Sequence, residues 1–538
     1  QDKKSFVYKY IFPEQEFKLK KGRSVIIANN TDPNRADYAG KIQELDHINK
    51  SLLLRKGISK DQNKLPRTLS ISEKVMEHAR FENLNRNIYL FCENVLNQKD
   101  GFEAVKSFLN RDIPSIKGKK AGEKIIETEN FTDEIPKVIN NLNNSYLYLQ
   151  GPPGSGKTYQ ASNAILELIK KNKKIAITAN SHKVIHNLLE RIESLANNQK
   201  HSFRGLKMGN VENEDTFFDG KFVKTEKNEK YFINELKDNK TLLYAGTKYH
   251  LSQKYYQNKL DYLFVDEASQ ISVADLVALG GIAKNIILVG DQMQLGQPVQ
   301  GSHPGESGKS VLDYLLQGKD TIPDSHGIFL KKTYRLHPNL NNFISENFYE
   351  NRLLINEKNI NRKIDYKKNS IIQSEGIHTI LMKHEDRSQT SLEELEIVKK
   401  LMDQLIGSNF RDFDNSERKI SVNDILVVSP FNAQVNFLKS RLHKDAKIGT
   451  IDKFQGMEAP ITIISMTSSS VEDLPRNKKF FFNRNRLNVA ISRAQCSSIV
   501  LLNPKLLNSP ALDYEEFKLM NNFQKLLNFR AKINVKNN

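Results

Sequence analysis

Cysteine is scarce in this sequence. Cys92 and Cys496 are the two cysteines among 538 residues, and they lie far apart, with no partner at the spacing of a metal ligand. This scarcity excludes a disulfide scaffold, a zinc site built on cysteines and a four-cysteine iron–sulfur cluster within this chain. It fits a protein kept in a reducing compartment, so we expect a cytoplasmic location.

Long apolar runs are lacking as well. No stretch of about 18 apolar residues occurs, which excludes the class of membrane-spanning proteins built on apolar helices. Hydrophobic residues make up 38% and charged residues 27% of the chain, as in ordinary globular proteins. The length is sufficient for several domains, each with its own core. The sequence begins at Gln1 without a signal-peptide pattern, and we expect it to be a piece of a longer protein.

Acidic residues are outnumbered by basic ones. Lys and Arg total 81 against 63 Asp and Glu, which gives a formal net charge of +18 and a pI of about 9.4. This balance favours a polyanionic partner such as nucleic acid, because binding releases the counterions of the polyanion. Lysines that only keep the surface soluble are the alternative, and composition alone does not separate the two.

The pattern of apolar residues changes along the chain and indicates four segments. Residues 1–68 alternate short β-rich runs with polar turns, which predicts a small β-barrel. Residues 69–122 show helical periodicity followed by a basic linker, which predicts a helical stalk. Residues 123–327 and 328–538 each alternate apolar strands with amphipathic helices. Such alternation predicts two parallel sheets covered on both faces, so the fold class is α/β.

A glycine-rich loop at residues 151–158 is the strongest chemical signal. It fits the pattern G-x-x-x-x-G-K-[ST], with an apolar strand before it and an amphipathic helix after it. In this setting the backbone N–H groups turn inward around phosphate oxygens at the positive end of the helix. A chance glycine turn is the alternative, and the flanking strand and helix argue against it. The predicted phosphate-binding residues are Gly151, Pro152, Pro153, Gly154, Ser155, Gly156, Lys157 and Thr158.

Two further polar segments follow apolar strands and complete a predicted nucleotide site. Asp266 and Glu267 end one strand, and Gln294 follows another. We expect Thr158 and Asp266 to hold Mg²⁺, Glu267 to polarise the attacking water and Gln294 to sense the γ-phosphate. Two acids at a strand end are often only a solvated edge, but a P-loop earlier in the same unit favours the catalytic interpretation.

Six segments in this order resemble the motif series of the Upf-like group of superfamily 1B helicases. They are residues 151–158, 266–270, 290–295, 333–335, 454–456 and 486–494. Residues 262–270, 301–305, 322–324 and 344–349 look more narrowly like the helicase half of bacterial fusion proteins that carry an N-terminal RecB-like nuclease. The resemblance covers nearly the whole chain.

This resemblance implies a fold and an activity. It implies two RecA-like P-loop lobes, 1A at 123–327 and 2A at 328–538, with 1–68 as a 1B-like barrel. It also implies ATP and Mg²⁺ as cofactors and 5′ to 3′ movement on single-stranded nucleic acid, DNA in preference to RNA. A RecB-like nuclease domain outside this chain is a further implied partner.

Roles for single residues are carried over from the matching motif positions. Arg335 and Arg493 correspond to arginines that reach the γ-phosphate from the second lobe, and Tyr334 to a tyrosine that stacks on adenine. Gly456 and Glu458 correspond to nucleotide-contacting positions, the acid toward the ribose. The positions that correspond to strand contacts are Ser181, His182, Gly246, Thr247, Pro430, Asn432 and Thr450.

The sequence departs from the family pattern in two places. Many relatives carry an adenine-reading glutamine about twenty residues before the P-loop, but residues 128–149 contain none, and Gln150 is too close to the loop. The triplet Glu16-Phe17-Lys18 spells part of a nuclease motif, yet only fifteen residues precede it, so we interpret it as barrel packing.

Two other functions stay open at this point. A nucleic-acid-stimulated ATPase clamp that remodels complexes without separating strands would use the same lobes. A metal nuclease would need additional acids that this chain lacks. The sequence therefore predicts an ATP-driven translocase or helicase, with the clamp as the alternative.

Overall fold

A computed structural model describes residues 5–13, 19, 21–27, 38–46, 49–57, 65, 71–73, 81–238, 240–297, 303–475, 478–529 and 533–534. The triplet Glu16-Phe17-Lys18 lies outside these residues, as do 301 and 302 of the segment at 301–305.

The N-terminal unit is an antiparallel sheet of five strands among the described residues, in the order β1-β4-β3-β2-β5. Its small core includes Leu52 and Leu54, which alternate along one strand and point to one face. The sheet continues past the predicted boundary at residue 68. The strands are β1 (Ser5–Ile11), β2 (Ser24–Ile27), β3 (Tyr38–Asp46), β4 (Ser51–Gly57) and β5 (Ile71–Glu73).

Two helices follow, α1 (Glu82–Leu96) and α2 (Glu103–Asn110). Helix α2 packs against the first parallel sheet, whereas α1 packs against a helix of the same lobe. The buried Asn87 side chain of α1 donates hydrogen bonds to Ser252 O (3.0 Å) and Ala278 O (2.9 Å). The Phe108 ring of α2 lies edge-on to Tyr146, with centroids 5.7 Å apart. The two helices of the predicted stalk therefore pack onto the first lobe, and α2 contributes to its core.

The first large sheet contains eight parallel strands in the described chain, in the order β13-β6-β12-β11-β7-β10-β8-β9. Its central strands are largely apolar because helices cover both faces. The strands are β6 (Tyr146–Gln150), β7 (Ile175–Thr178), β8 (Gly205–Met208), β9 (Val223–Glu226), β10 (Leu243–Ala245), β11 (Leu260–Val265), β12 (Ala283–Gly290) and β13 (Gly327–Phe329). The helices are α3 (Phe131–Asn140), α4 (Lys157–Lys170), α5 (His182–Asn198), α6 (Glu229–Asp238), α7 (Lys248–Leu251), α8 (Val273–Gly280) and α9 (Val311–Leu316).

The second large sheet contains six parallel strands of the described chain, in the order β21-β20-β22-β23-β17-β24. The strands are β17 (Gly376–Leu381), β20 (Ile425–Ser429), β21 (Lys447–Thr450), β22 (Ala459–Ser465), β23 (Ala494–Leu502) and β24 (Ile533–Asn534). The helices are α10 (Pro338–Phe348), α11 (Leu392–Leu405), α12 (Asn432–Lys439), α13 (Lys478–Phe481), α14 (Arg484–Ser492) and α15 (Tyr514–Phe529). Short strands accompany this lobe: β14 (Lys332–Thr333), β15 (Leu354–Ile355), β16 (Lys363–Ile364), β18 (Asn409–Arg411) and β19 (Glu417–Lys419).

Two predicted element boundaries differ in the structure. Strand β13 pairs with β6, so the first sheet reaches Phe329, two residues beyond the predicted boundary at 327. In the sequence, the apolar stripe of Leu487, Ala490, Ile491 and Ala494 predicts a helix over residues 486–495, with Arg486 and Arg493 together on one flank that can face a cleft. The helix spans Arg484–Ser492, and Ala494 and Gln495 already belong to β23. The apolar residues of this last turn are also compatible with a buried strand, and pairing with β22 decides in favour of the strand.

The two RecA-like lobes are therefore present as two separate parallel sheets, as the sequence predicts. In such sheets, ligands bind at the carboxyl ends of the strands. The P-loop follows β6, Asp266 follows β11 and Asp291 follows β12. These three strands are neighbours in the order β6-β12-β11, so one edge of the first sheet collects all three polar segments.

Candidate functional site

The P-loop turns tightly between β6 and α4. The Gly151 N–H donates to Gly290 O (2.9 Å), which ties the loop to β12. The Lys157 ammonium donates to Gly151 O (2.8 Å) from the first turn of α4. A Cβ on Gly151 would lie 1.8 Å from Lys157 Cγ, so only glycine leaves room for the lysine stem.

The second lobe touches this loop directly. The Thr333 hydroxyl donates to Pro153 O (2.8 Å), and the Tyr334 N–H donates to Gly154 O (2.8 Å). Gly154 has φ +72°, and a Cβ there would lie 2.4 Å from Arg335 Cβ. Glycine is required both for the left-handed backbone and for the close approach of the two lobes.

Two carboxylates follow β11 next to the loop. Asp266 is buried, and its Oδ1 accepts a hydrogen bond from the Glu267 N–H (2.9 Å). Burial, and then the neighbouring Glu267 carboxylate, raise the pKa of Asp266 above the usual range of an aspartate. A cation bound here would favour the ionised carboxylate and so lower this pKa.

Gln294 lines the same cleft from the segment after β12. It is 4% exposed, and its side-chain amide donates to Asp291 Oδ2 (2.9 Å). The direction of this amide is thus fixed by a fully buried carboxylate.

Two arginines of the second lobe face the P-loop. Arg493 is 2% exposed and donates to Val489 O (3.2 Å) and Met457 O (3.1 Å). Burial, and then the nearby Arg335 guanidinium, lower the pKa of Arg493 to about 9, which leaves it charged at neutral pH. Arg335 donates through Nη1 to Ser492 O (3.3 Å) and forms an ion pair with Glu458 through Nε.

These elements enclose a cleft of about 350 Å³ between the lobes. The residues that line it are Pro152, Pro153, Gly154, Ser155, Gly156, Lys157, Thr158, Tyr159, Lys183, Val184, Asn187, Asp266, Glu267, Gln294, Arg335, Gln455, Gly456 and Arg493. Three cationic side chains that the sequence predicts at the site therefore converge with two carboxylates. The Ser155 hydroxyl and Glu267 Oε2 are buried in this cleft without a hydrogen-bond partner. These features fit a bound polyanion with a divalent cation, because the ligand and the ion would supply interaction partners for the Ser155 hydroxyl and Glu267 Oε2.

Three predicted nucleotide residues do not line the cleft. Gly151 lies behind the loop, with its N–H bonded to β12. The Tyr334 side chain is 56% exposed beside the loop. Glu458 is bound to Arg335 and to Gln495 Nε2 (3.0 Å), so in this structure it orients the arginine.

The predicted strand contacts fall at the carboxyl ends of four strands. Ser181 and His182 follow β7, and Gly246 and Thr247 follow its neighbour β10. Pro430 and Asn432 follow β20, and Thr450 ends its neighbour β21. The sheet order therefore groups them into two pairs of adjacent loops, one pair on each lobe. Gly246 and Pro430 are buried, whereas Ser181 is exposed.

The second sheet uses its two ends differently. Glu458 and Arg493 immediately precede β22 and β23, which are adjacent strands, so they sit at the amino ends. The predicted strand contacts of this lobe sit at the carboxyl ends. The nucleotide cleft and the predicted nucleic-acid track thus lie at opposite ends of the second sheet.

Sequence reasoning missed Lys183 and Asn187, which line the cleft from the first turns of α5. They are spaced i, i+4, opposite the apolar stripe that includes Ile185 and Leu188. This polar pair on an amphipathic helix after a strand end is the signal that could have located them.

A buried lysine next to a predicted strand contact was also missed. Lys207 on β8 is fully buried, and its ammonium lies 3.3 Å from His182 Nδ1 and donates to Met208 O (3.2 Å). Burial lowers the pKa of Lys207 to about 8. Burial, followed by the charge of Lys207, lowers the pKa of His182 to about 4. His182 is therefore neutral at physiological pH and can contact a strand only as an uncharged ring.

Gln150 has a structural role. Its amide donates to Gln292 Oε1 and Asp320 O (both 3.0 Å), and its Oε1 accepts from the Ile322 N–H (2.7 Å). It is fully buried in the sheet, which agrees with its exclusion as a base-reading residue. Among the described residues, no helix is both long enough and apolar enough to cross a membrane.

This chain is similar in sequence to known proteins. Residues 136–299 and 308–505 each match a family model described as an AAA domain. The DNA replication ATP-dependent helicase/nuclease dna2 of Schizosaccharomyces pombe is 25% identical over 406 residues, which cover 70% of this chain and 28% of that protein. The DNA polymerase alpha-associated DNA helicase A of Saccharomyces cerevisiae is 25% identical, covering 76% of this chain and 67% of that protein. The regulator of nonsense transcripts 1 homolog of Neurospora crassa is 25% identical, covering 70% of this chain and 37% of that protein.

The chain spans well under two thirds of the length of two of these three relatives, 28% of the first and 37% of the last. Among solved structures, the arterivirus nonstructural protein 10 helicase aligns over 96% of this chain and 79% of its own, with a TM-score of 0.40 and 11% identity.

Proposed function

This chain belongs to the Upf-like group of superfamily 1B helicases, and we propose that it hydrolyses ATP between its two lobes to move along single-stranded nucleic acid and separate duplexes. One observation carries the proposal. A P-loop from one lobe and two arginines from the other line a single cleft, so a nucleotide bound there would contact both lobes at once.

Within this proposal the P-loop N–H groups and Lys157 bind the phosphates. Thr158 and Asp266 supply the oxygen ligands that Mg²⁺ prefers, and the bound ion would neutralise charge on the β- and γ-phosphates. Glu267 orients and deprotonates the attacking water, with Gln294 beside it. Because Arg335 and Arg493 come from the other lobe, phosphate charge draws the lobes together and its loss releases them.

Tyr334 and Glu458 take conditional roles. The exposed Tyr334 ring stands beside the P-loop and is free to stack on a base at the mouth of the cleft. Glu458 can reach a ribose only if it exchanges its ion pair with Arg335, so we propose that nucleotide binding breaks this pair.

The nucleic-acid strand is proposed to run over the loops after β7, β10, β20 and β21. Phosphate contacts at Ser181, Thr247, Asn432 and Thr450 would position the strand without reading its sequence. With a net charge of +18, binding should weaken steeply as salt is added.

DNA as the preferred strand and 5′ to 3′ movement are finer proposals. They rest on the resemblance to nuclease-fused helicases and on the similarity to dna2, which is a DNA replication ATP-dependent helicase/nuclease. The same resemblance supports a RecB-like nuclease domain as a partner of this chain.

Unwinding of a tailed duplex tests the proposal against the clamp alternative. The chain should displace the complementary strand with ATP and Mg²⁺, and Lys157→Ala should not. Strand-stimulated hydrolysis without displacement from a 5′ or a 3′ tail would favour the clamp, which binds and remodels but does not separate strands.

A further inference from the structure

A chain of hydrogen bonds between buried side chains crosses from the second lobe to the first. The Tyr349 hydroxyl, at the end of α10, donates to Asp291 Oδ2 (2.7 Å), directly after β12. The Asn488 amide of α14 donates to Tyr349 Oη (2.9 Å). All three side chains are fully buried, so water does not supply their hydrogen bonds.

The same carboxylate oxygen holds Gln294. Asp291 Oδ2 accepts from Gln294 Nε2 (2.9 Å) as well as from Tyr349, and Gln294 lines the nucleotide cleft. The direction of the Gln294 amide therefore depends on a carboxylate whose second donor comes from the other lobe.

Helix α14 also holds the backbone around Gln294. The Asn485 amide donates to Gln292 O and Gln294 O (both 2.7 Å), and the Asn488 amide donates to Met293 O (2.8 Å). Two asparagines of one helix thus bind three consecutive carbonyls of the other lobe. Since Arg493 is the residue that follows this helix, α14 joins the cleft arginine to the Gln294 segment.

The turn after Tyr349 is fixed to the first lobe as well. Glu350 and Asn351 both have left-handed backbones, with φ of +53° and +60°, which residues with a side chain rarely adopt. Glu350 accepts from the Thr321 hydroxyl (2.6 Å), and Arg352 donates to Ile322 O (2.7 Å). Strained backbone of this kind persists where surrounding contacts determine it.

We propose that Tyr349, Asn485 and Asn488 form an inter-lobe latch that positions Gln294 for hydrolysis while the lobes are in contact. These are positioning residues, since none of the three lines the cleft. A buried carboxylate that loses a donor is strongly disfavoured, so the Tyr349 hydroxyl favours the arrangement in which the lobes meet. The inference rests on the proposed function, in which Gln294 acts on nucleotide in this cleft.

Tyr148 provides a matched control for Tyr349. It is equally buried, and its hydroxyl donates to Gln292 Oε1 (2.8 Å), in the same segment. That bond lies within the first lobe, because Tyr148 belongs to β6. Replacing either tyrosine by phenylalanine removes one buried hydroxyl, and only Tyr349→Phe removes a bond between lobes.

The test compares the parent chain, Tyr349→Phe and Tyr148→Phe in ATP hydrolysis with saturating poly-dT, alongside melting temperatures. We expect Tyr349→Phe to lower kcat by about 10-fold or more with KM for ATP within about twofold, because small misplacements of a positioned group have large effects on rate. Tyr148→Phe should keep kcat within about twofold of the parent. Equal kcat values for the two variants would overturn the latch.

Asn485→Ala is the second variant, because Asn485 is only half-buried and its removal leaves no buried hydroxyl unpaired. It should lower kcat in the same way even if Tyr349→Phe does not fold, and a parental kcat would count against the latch. Failure of the proposed function is separate: the parent chain would then show no stimulation by poly-dT, while the basal kcat values of the two phenylalanine variants would still test the latch.

Discussion

Replacing Arg493 by alanine distinguishes a catalytic arginine from a structural one. The guanidinium is 2% exposed and is bound by two carbonyl oxygens, beside Arg335 and the P-loop lysine. If its role is structural, the loss is two charge-assisted hydrogen bonds, each worth about 1.5–3 kcal/mol, partly offset by relief of the repulsion from Arg335. The free energy of unfolding would then change while kcat of the folded chain would not.

The catalytic interpretation predicts a different magnitude in a different quantity. Removing an arginine that stabilises charge in the transition state lowers turnover about 10³-fold or more, roughly 4 kcal/mol in the barrier. Binding of single strands without nucleotide should stay near the parent value, because the predicted strand contacts lie at the opposite end of the second sheet.

Arg486, on the helix that Arg493 directly follows, is the matched control. Its side chain is 19% exposed and pairs with Asp452 at 3.3 Å, an ion pair worth about 1 kcal/mol or less. Arg486→Ala should therefore keep kcat and change the melting temperature only slightly. A kcat for Arg493→Ala within about threefold of that of Arg486→Ala, at saturating ATP and single strand, would refute the catalytic assignment.

Three further predictions concern the loop, a buried charge and the direction of movement. Gly154→Ala should abolish most ATP turnover, because the added Cβ would collide with Arg335. In the control Gly118→Ala, where φ is +85° and no atom lies within 4 Å of the added Cβ, the left-handed backbone should lower stability by about 1–2 kcal/mol and leave kcat unchanged. Melting temperatures and kcat of both variants check this. The free energy of unfolding, measured with urea, should rise between about pH 8 and pH 10.5, because the pKa of Lys207 is lowered in the folded chain and the unfolded chain binds more protons in that window. Lys207→Met should remove this rise. The same dependence of unfolding free energy on pH in the variant would count against the burial of a charged lysine. A duplex with a 5′ single-stranded tail should be displaced and one with a 3′ tail should not, and the reverse preference would contradict the assigned polarity.

The central parts of the fold and site could be predicted from local sequence. The P-loop, Asp266 and Gln294 each follow an apolar strand, and parallel sheets bring such strand ends together. Local sequence does not show which strands are neighbours in the sheet. The order β6-β12-β11 places all three segments at one cleft.

Other features depend on pairing that no local pattern carries. Strand β5 is three residues long and is defined only by its bonds to β2, so its segment was assigned to the helical stalk. The two arginines seven apart, Arg486 and Arg493, were expected on one flank facing the cleft. Because the helix ends at Ser492 and Arg486 pairs with Asp452, only Arg493 of these two lines the cleft.

Long-range partners explain the remaining differences. Glu458 was expected at the ribose, but it lies beside Arg335, which is more than a hundred residues away in the sequence. Nothing in the local sequence distinguishes Lys207 from a surface lysine of a basic protein. It is buried because β8 lies between two other strands of the first sheet. The periodicity of apolar residues does not predict the environment of these two charged residues, because strand order and long-range contacts determine it.

Hydrolysis of ATP with and without single-stranded nucleic acid tests the central claim most directly. Turnover by the parent chain should rise manyfold with poly-dT or poly-U and fall back as salt is added, while Lys157→Ala should show no turnover in either case. The ratio between the two polymers would assign the preferred strand. Identical turnover with and without either polymer would contradict a motor driven by single-stranded nucleic acid.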